Sequence, residues 1–300
     1  MTVAEALIVI PARDESALVA RAIAALNVAR RDAERRHGVR TVCVVVADAC
    51  TDDTAAIAIS AGAQVVESAS GSVGHARRLG VARARAAATA EPSQVWVACT
   101  DADSVVPAGW LTRQLDHARD GADLVLGRVE PDAADLPADL LRAWRERHDD
   151  HDGHRHVHGA NLGFRASAYD AVGGFPSVAH DEDVLLVRRL RSAGFVIHAD
   201  GSDPVITSGR RIGRAPGGFA DYLSALSSAE AACGQTVTLS ARKSTDTGAP
   251  AASRAAGEFV AHRARRAGPP SSSTSTSTDV PTSATSTTVA ATPEVPSSTS

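Results

Sequence analysis

Short apolar runs that stop at polar clusters, alternating with helix-like stretches, constrain this chain more than any other feature. Leu7-Ile8-Val9-Ile10 ends at Pro11, Val42 to Val46 runs toward Asp48, and Val95-Trp96-Val97-Ala98 leads to Asp101. These three, with a weaker run at Gln64-Val65-Val66, read as buried strands. Between the first two, Leu18, Ala22, Ala25, Leu26 and Ala29 recur at helical spacing, with Asp14 or Ser16 as the expected cap and His37-Gly38 as the stop. Thr51-Asp52-Asp53 opens a second predicted helix that runs to Ala61-Gly62, and a third spans Val73 to Ala88. Strands and helices alternating through short polar loops predict an α/β fold, a mostly parallel sheet with helices on both faces. In such sheets ligands sit beyond the carboxyl ends of the strands, where these acidic clusters fall.

The pattern then loosens. Helices are expected at Trp110 to Ala118, Leu136 to Arg147, Asp181 to Ala193 and Phe219 to Ala232. Strands are expected at Asp123 to Gly127, Phe195 to His198 and Pro204 to Thr207. Residues 1–235 therefore read as one α/β domain. Residues 236–300 read as a tail, mostly Ser, Thr and Pro from Ser271 onward, with too little to bury to fold by itself. A brief basic amphipathic helix at Ala255 to Arg266 is the alternative to a solvated linker there.

A formal net charge of −4 offers no electrostatic reason to expect nucleic acid as a partner. The four cysteines, Cys43, Cys50, Cys99 and Cys233, form no CxxC pair, and the expected state is buried free thiols in a reducing compartment. The N-terminus lacks a basic leader and no run is long enough to span a bilayer, so a cytoplasmic protein is expected.

Six motifs carry the chemistry. In order they are Val9-Ile10-Pro11-Ala12-Arg13-Asp14-Glu15, then Val45-Val46-Ala47-Asp48-Ala49-Cys50-Thr51-Asp52-Asp53-Thr54, then Gly74-His75-Ala76-Arg77-Arg78-Leu79-Gly80. The fourth is Asp101-Ala102-Asp103. The fifth combines Gly159-Ala160-Asn161-Leu162-Gly163-Phe164-Arg165, Val172-Gly173-Gly174-Phe175 and Asp181-Glu182-Asp183 before a helical stretch. The sixth is Val205-Ile206-Thr207-Ser208-Gly209-Arg210-Arg211. Two carboxylates one residue apart after a buried strand are hard oxygen donors suited to Mg²⁺ or Mn²⁺.

In this order the motifs resemble the inverting family 2 glycosyltransferases of the GT-A fold, over roughly Leu7 to Leu223. The resemblance implies a Rossmann-like sheet, a nucleotide-sugar donor and a divalent metal on its diphosphate. It implies donor contacts from Pro11, Ala12, Arg13, Glu15, Asp48, Arg77 and Asp101, with Asp103 and Asp101 as metal ligands. Arg210 and Arg211 would close over the diphosphate. Asp183, with Glu182 beside it, would be the catalytic base that takes the proton of the attacking acceptor hydroxyl. Several departures stand out: Ala47 replaces the first of the family's two base-reading acids, Arg78 its usual Asn, and Leu185 a further Asp of many relatives. A UDP-sugar is favoured, but a lone Asp48 could also read adenine or guanine.

Each motif has a plainer reading. Asp14, Glu15, Thr51 and Asp52 suit helix N-termini, Arg77 could be a solvated side chain, and the acids at 181–183 could serve the helix dipole. Arg210 and Arg211 could form a basic surface loop. The stretch His148, His151, His154, His156 and His158 is expected to be a polar acceptor-side loop, with adventitious Zn²⁺ or Ni²⁺ binding as a lesser alternative. The acceptor itself, a small molecule or a lipid carrier, stays open. Two other functions share these features. A nucleotidyltransferase would open with a glycine-rich loop, which residues 11–15 lack, and a non-catalytic nucleotide-sugar binder would fit the change at Ala47.

Overall fold

The computed structural model describes residues 2–148, 151–178, 180–214 and 218–228. Met1, the stretch 149–150, residue 179, the stretch 215–217 and everything from 229 onward lie outside that description. The expected tail, the Ala255 to Arg266 helix and Cys233 lie in the last of these.

Four parallel strands form the nucleus: β1 (Glu5–Ala12), β2 (Arg40–Asp48), β3 (Gln64–Ser68) and β4 (Val95–Cys99). The chain winds from β1 outward through β2 to β3, then returns to the other side of β1 with β4, giving the order β3-β2-β1-β4. The sheet continues through β7 (Leu162–Arg165), β6 (Leu124–Pro131), β8 (Ile197–Thr207) and β5 (Ser104–Val105). β7 is antiparallel to both β4 and β6, β8 is parallel to β6, and β5 is antiparallel to β8. This is the mostly parallel α/β sheet expected.

Period-2 alternation along β1 splits the core. Ile8 and Ile10 join Val45, Trp96 and Ala98 on one face, under α1 (Val19–His37) and α4 (Trp110–Arg119). Leu7 and Val9 join Val44, Val46 and Val97 on the other, under α3 (Val73–Ala86), α6 (Ala166–Ala171) and α7 (Glu182–Ser192). Both faces of β1, β2 and β4 are covered, so their central residues are apolar. The remaining helices are α2 (Thr54–Ser60) and α5 (Ala138–Arg147), and a further helical stretch runs over 219–228. Leu136, Leu140 and Trp144 pack on Leu223 and Leu226 in a small third cluster.

Three details differ from the sequence expectations. Neither Asp14 nor Ser16 caps α1: its first amides turn to the Glu15 carbonyl, and Asp14, at φ 51°, accepts the Thr51 amide at 2.7 Å. The two late strands are one, β8. Its pairing with β6 is interrupted between Gly127 and Val129, and Pro204 falls in that irregular stretch, where no ladder amide is required. Cys43 and Cys99 are buried free thiols as expected, but Cys50 is only half-buried.

α3 lies close on the sheet because it carries a glycine there. A Cβ at Gly80 would stand 2.4 Å from Val9 Cγ1 and 3.0 Å from Val46 Cγ2. Replacing Gly80 with Ala should therefore destabilise the protein by about 1–3 kcal/mol through overpacking, read as a lower thermal unfolding midpoint.

Candidate active site

The winding reverses between β1 and β4, and it is at the carboxyl ends of strands at such a reversal that these sheets bind ligands. The turn after β4 carries Asp101 and Asp103 there. Residues 13–15 follow β1, the N-terminus of α7 supplies Glu182 and Asp183, and the segment after β8 supplies Arg210 and Arg214. The late antiparallel strands bring residues from opposite ends of the chain to one edge.

Each acidic side chain has its own environment. Asp103, with a side chain 11% exposed, pairs with Arg210 Nη2 at 2.7 Å and accepts the Ser104 and Thr207 hydroxyls, each at 3.2 Å. Burial, followed by the neighbouring Asp101 carboxylate, pushes its carboxyl up to about 6. Asp101 is the more open of the two and meets Arg77 Nη2 at 2.6 Å. Glu182 is buried and paired with Arg77 Nη1. Asp183 accepts the Gly159 amide at 2.7 Å on Oδ2 and the Val184 amide at 2.8 Å on Oδ1. Burial raises its carboxyl above the ordinary range, against the pull of Arg77.

Glu15 is buried between two guanidinium groups, with Arg210 Nη2 at 2.6 Å and Arg214 Nη1 at 2.7 Å. Arg210 thus joins Glu15 to Asp103, while Arg211 is exposed. Pro11 and Ala12 end β1, and Arg13 is exposed beside the turn at Gly71. Asp48 holds the loop between β3 and α3: it accepts the Ser70 amide at 2.9 Å, the Ser70 hydroxyl at 3.0 Å and the Ser72 amide at 2.8 Å. Burial alone would raise its carboxyl, but these hydrogen bonds outweigh burial and hold it low.

The structure thus brings Glu15, Arg77, Asp101, Asp103, Glu182, Asp183 and Arg210 together through ion pairs or shared partners. Pro11 and Ala12 end β1, Asp48 ends β2, and Arg13 lies in the loop that follows β1. Ser104 and Arg214 were not singled out, and Thr207 stood in the sixth motif without a role of its own. Arg214 had one signal, its four-residue spacing from Arg210, while Ser104 had none.

Asp101 and Asp103 fit a divalent cation chemically. Both are oxygen donors, each now paired with a guanidinium, Arg77 or Arg210, that a bound cation would displace or share. Two carboxylates leave the other positions of a small hard cation to phosphate oxygens and water. Among the described residues, the one cluster of three ligand-type side chains within 4.8 Å is elsewhere: Asp14, Cys50 and Asp52. There the carboxylates accept the amides of Thr51, Ser16 and Thr54, so the cluster clamps the loop after β1 to the loop after β2.

Among the described residues, 151–158 form no helix or strand, and several of the histidines there pack on one another or on Trp144. His148 stacks on Trp144 with centroids 3.4 Å apart, His156 lies 4.9 Å from His148, and His158 lies 6.1 Å from His156. His154 is buried, with Nε2 3.3 Å from the Asp200 carbonyl. Burial and the neighbouring imidazoles push His158 down to about 3, so it is neutral.

A family model described as glycosyl transferase family 2 matches residues 7–172. The chain belongs to that family. No curated protein sequence matches it significantly. Among solved structures, S. aureus TarS (residues 1–349) superposes with a TM-score of 0.51 at 15% identity, covering 69% of this chain and 61% of TarS 1–349. The mannosyltransferase PcManGT from Pyrobaculum calidifontis, in complex with GDP-Man and Mn²⁺, gives a TM-score of 0.52 at 17% identity, covering 71% of this chain and 59% of PcManGT. The family 2 chain therefore shares the GT-A fold with both and spans about three fifths of their length. No described helix is long and apolar enough to cross a membrane.

Asp48 is a stabilising carboxylate whatever ligand the site takes. Asp48→Asn should lower stability at pH 7 by about 2 kcal/mol, as charged acceptors of buried hydrogen bonds do. Because its folded carboxyl is held low, that contribution is full above the ordinary carboxylate value and fades as pH falls through the folded value. Urea unfolding at pH 7 and pH 3 should show the wild-type advantage shrinking at acid pH.

Proposed function

We propose that this chain is an inverting glycosyltransferase that moves a sugar from a nucleotide-diphosphate sugar to an acceptor hydroxyl. One observation carries the reading: a carboxylate pair and a separate half-buried carboxylate, Asp183, meet at the strand reversal of a family 2 chain. Asp101 and Asp103 would hold Mg²⁺ or Mn²⁺, which when bound offsets charge on the departing nucleoside diphosphate. Asp183 takes the acceptor proton, and its raised carboxyl makes it a stronger base than an exposed aspartate. Glu182 is buried with Oε1 paired to the Arg77 guanidinium, whereas Asp183 is half-buried and held by two backbone amides, so the base role is assigned to Asp183. Arg210 stands where it can turn from Asp103 to phosphate oxygens, and Arg211 is free to follow.

Pro11, Ala12, Arg13 and Asp48 border the adjoining side, where the nucleoside would lie. Uridine is the donor base favoured, and guanosine is the first alternative because PcManGT is complexed with GDP-Man. The acceptor is a small molecule or lipid carrier. A cytoplasmic protein of 1–235 plus tail completes the reading.

The test is a panel of UDP- and GDP-sugars with Mn²⁺ or Mg²⁺, measuring nucleoside diphosphate release. Pyrophosphate release would instead indicate nucleotidyl transfer, and binding without turnover a silent binder. Asp103→Ala should abolish metal-dependent donor binding by calorimetry. Asp183→Asn should keep donor binding and lose turnover by about 100-fold or more; near-normal turnover would remove Asp183 from the base role. Since burial raises the Asp183 carboxyl, kcat should fall on acidification from a point above the ordinary carboxylate range, as the base becomes protonated.

A further inference from the structure

Arg77, expected beside the donor nucleotide, is paired with two carboxylates. It lies in the second turn of α3 and is only 4% exposed. Its two terminal nitrogens diverge onto carboxylates from different parts of the chain: Nη2 onto Asp101 at 2.6 Å, after β4, and Nη1 onto Glu182, at the start of α7. Nε has no acceptor among the described residues, so its contacts are all made at the two-pronged end. The guanidinium also covers Gly159, where a Cβ would stand 2.4 Å from Cζ. That same Gly159 donates its amide to Asp183. α3 presses on the same point one turn earlier, since a Cβ at Gly74 would stand 3.0 Å from the Glu182 Cβ.

We propose that Arg77 is a positioning residue, a buried strut that sets the separation between the Asp101–Asp103 turn and the Asp183 carboxylate. It acts through three contacts. The ion pair with Asp101 anchors the turn after β4, the pair with Glu182 anchors the first turn of α7, and the guanidinium over Gly159 sets the amide that orients Asp183. Glu182 is on this account the strut's footing and Asp183 the group it aims. A planar fork is required: a lysine ammonium keeps the charge but cannot hold two diverging carboxylates in fixed geometry.

The kinetic half of the test rests on the glycosyl-transfer reading, and the structural half does not. Hydrogen exchange is followed by mass spectrometry in wild type, Arg77→Met, Arg77→Lys and Glu182→Gln. Exchange at residues 159–165 and 182–186 should rise about tenfold in Arg77→Met and less in Arg77→Lys, with α1 unchanged, as local loosening requires. Glu182→Gln should loosen 182–186 as well, and it carries the test if Arg77→Met does not fold. In turnover, Arg77→Met should lose about 100-fold in kcat, the effect of a misplaced reacting group. Its KM for donor and its affinity for metal–nucleoside diphosphate should change by no more than about threefold, because a strut acts on geometry and not on uniform binding. Unchanged exchange in Arg77→Met and Glu182→Gln overturns the strut. So does a near-normal kcat with weakened nucleotide binding, which would make Arg77 a donor ligand. If wild type turns over no donor, the glycosyl-transfer reading fails while the exchange data still decide the strut.

Discussion

Carboxylates gathered at the edge of a sheet repel one another and lose their water, and the fold holds together there because arginines meet them. Arg77 and Arg210 do most of this. Arg77 is 105 residues from Glu182 in sequence, and Arg210 is 195 residues from Glu15. Those two contacts bind the second half of the chain to the strand reversal built by the first half. Removing either cation would leave buried acids without partners, which is far more costly than the net worth of the pairs themselves.

The environment then separates acids that are chemically identical. Asp48 accepts hydrogen bonds from the 70–72 loop and stays ionised as a structural anchor. Asp103 sits beside Asp101 in a buried place and is pushed up, a setting in which added positive charge is favourable. Asp183 is raised by burial, with amides holding both of its oxygens. Anchor, cation ligand and base thus differ in solvent access and neighbours and not in residue type.

The loops after β1 and β2 show a second device. Asp14 reaches the Thr51 amide, Asp52 reaches the Ser16 amide, and Thr54 Oγ1 accepts the Glu15 amide at 2.7 Å. These reciprocal contacts hold the loop that carries Arg13 and Glu15 without the local helix cap expected. Cap-type residues and loop-clamp residues are the same residue types, so the sequence could not separate the two uses. The histidines of 148–158 lie in a loop, but some of their rings are packed against other side chains. The stack of His148 on Trp144, four residues earlier on α5, is a local helical contact, whereas the burial of His154 against the Asp200 carbonyl depends on where β8 runs.

By itself the sequence determined the parallel nucleus, because continuous apolar runs of strand length must be buried on both faces, and it determined that acids follow β1, β2 and β4. It also marked the family, through six short motifs in order. Only the tertiary structure decided which acids face one another and with what partners. β6 and β8 were legible only as short strands and β7 and the two-residue β5 not at all, yet their pairing delivers Gly159, Thr207 and Arg210 to the site. Arg77 is the clearest case. Its motif placed it near a nucleotide, but a buried guanidinium between Asp101 and Glu182 depends on where β4 and α7 end in space, and distances between those ends are not written in local pattern.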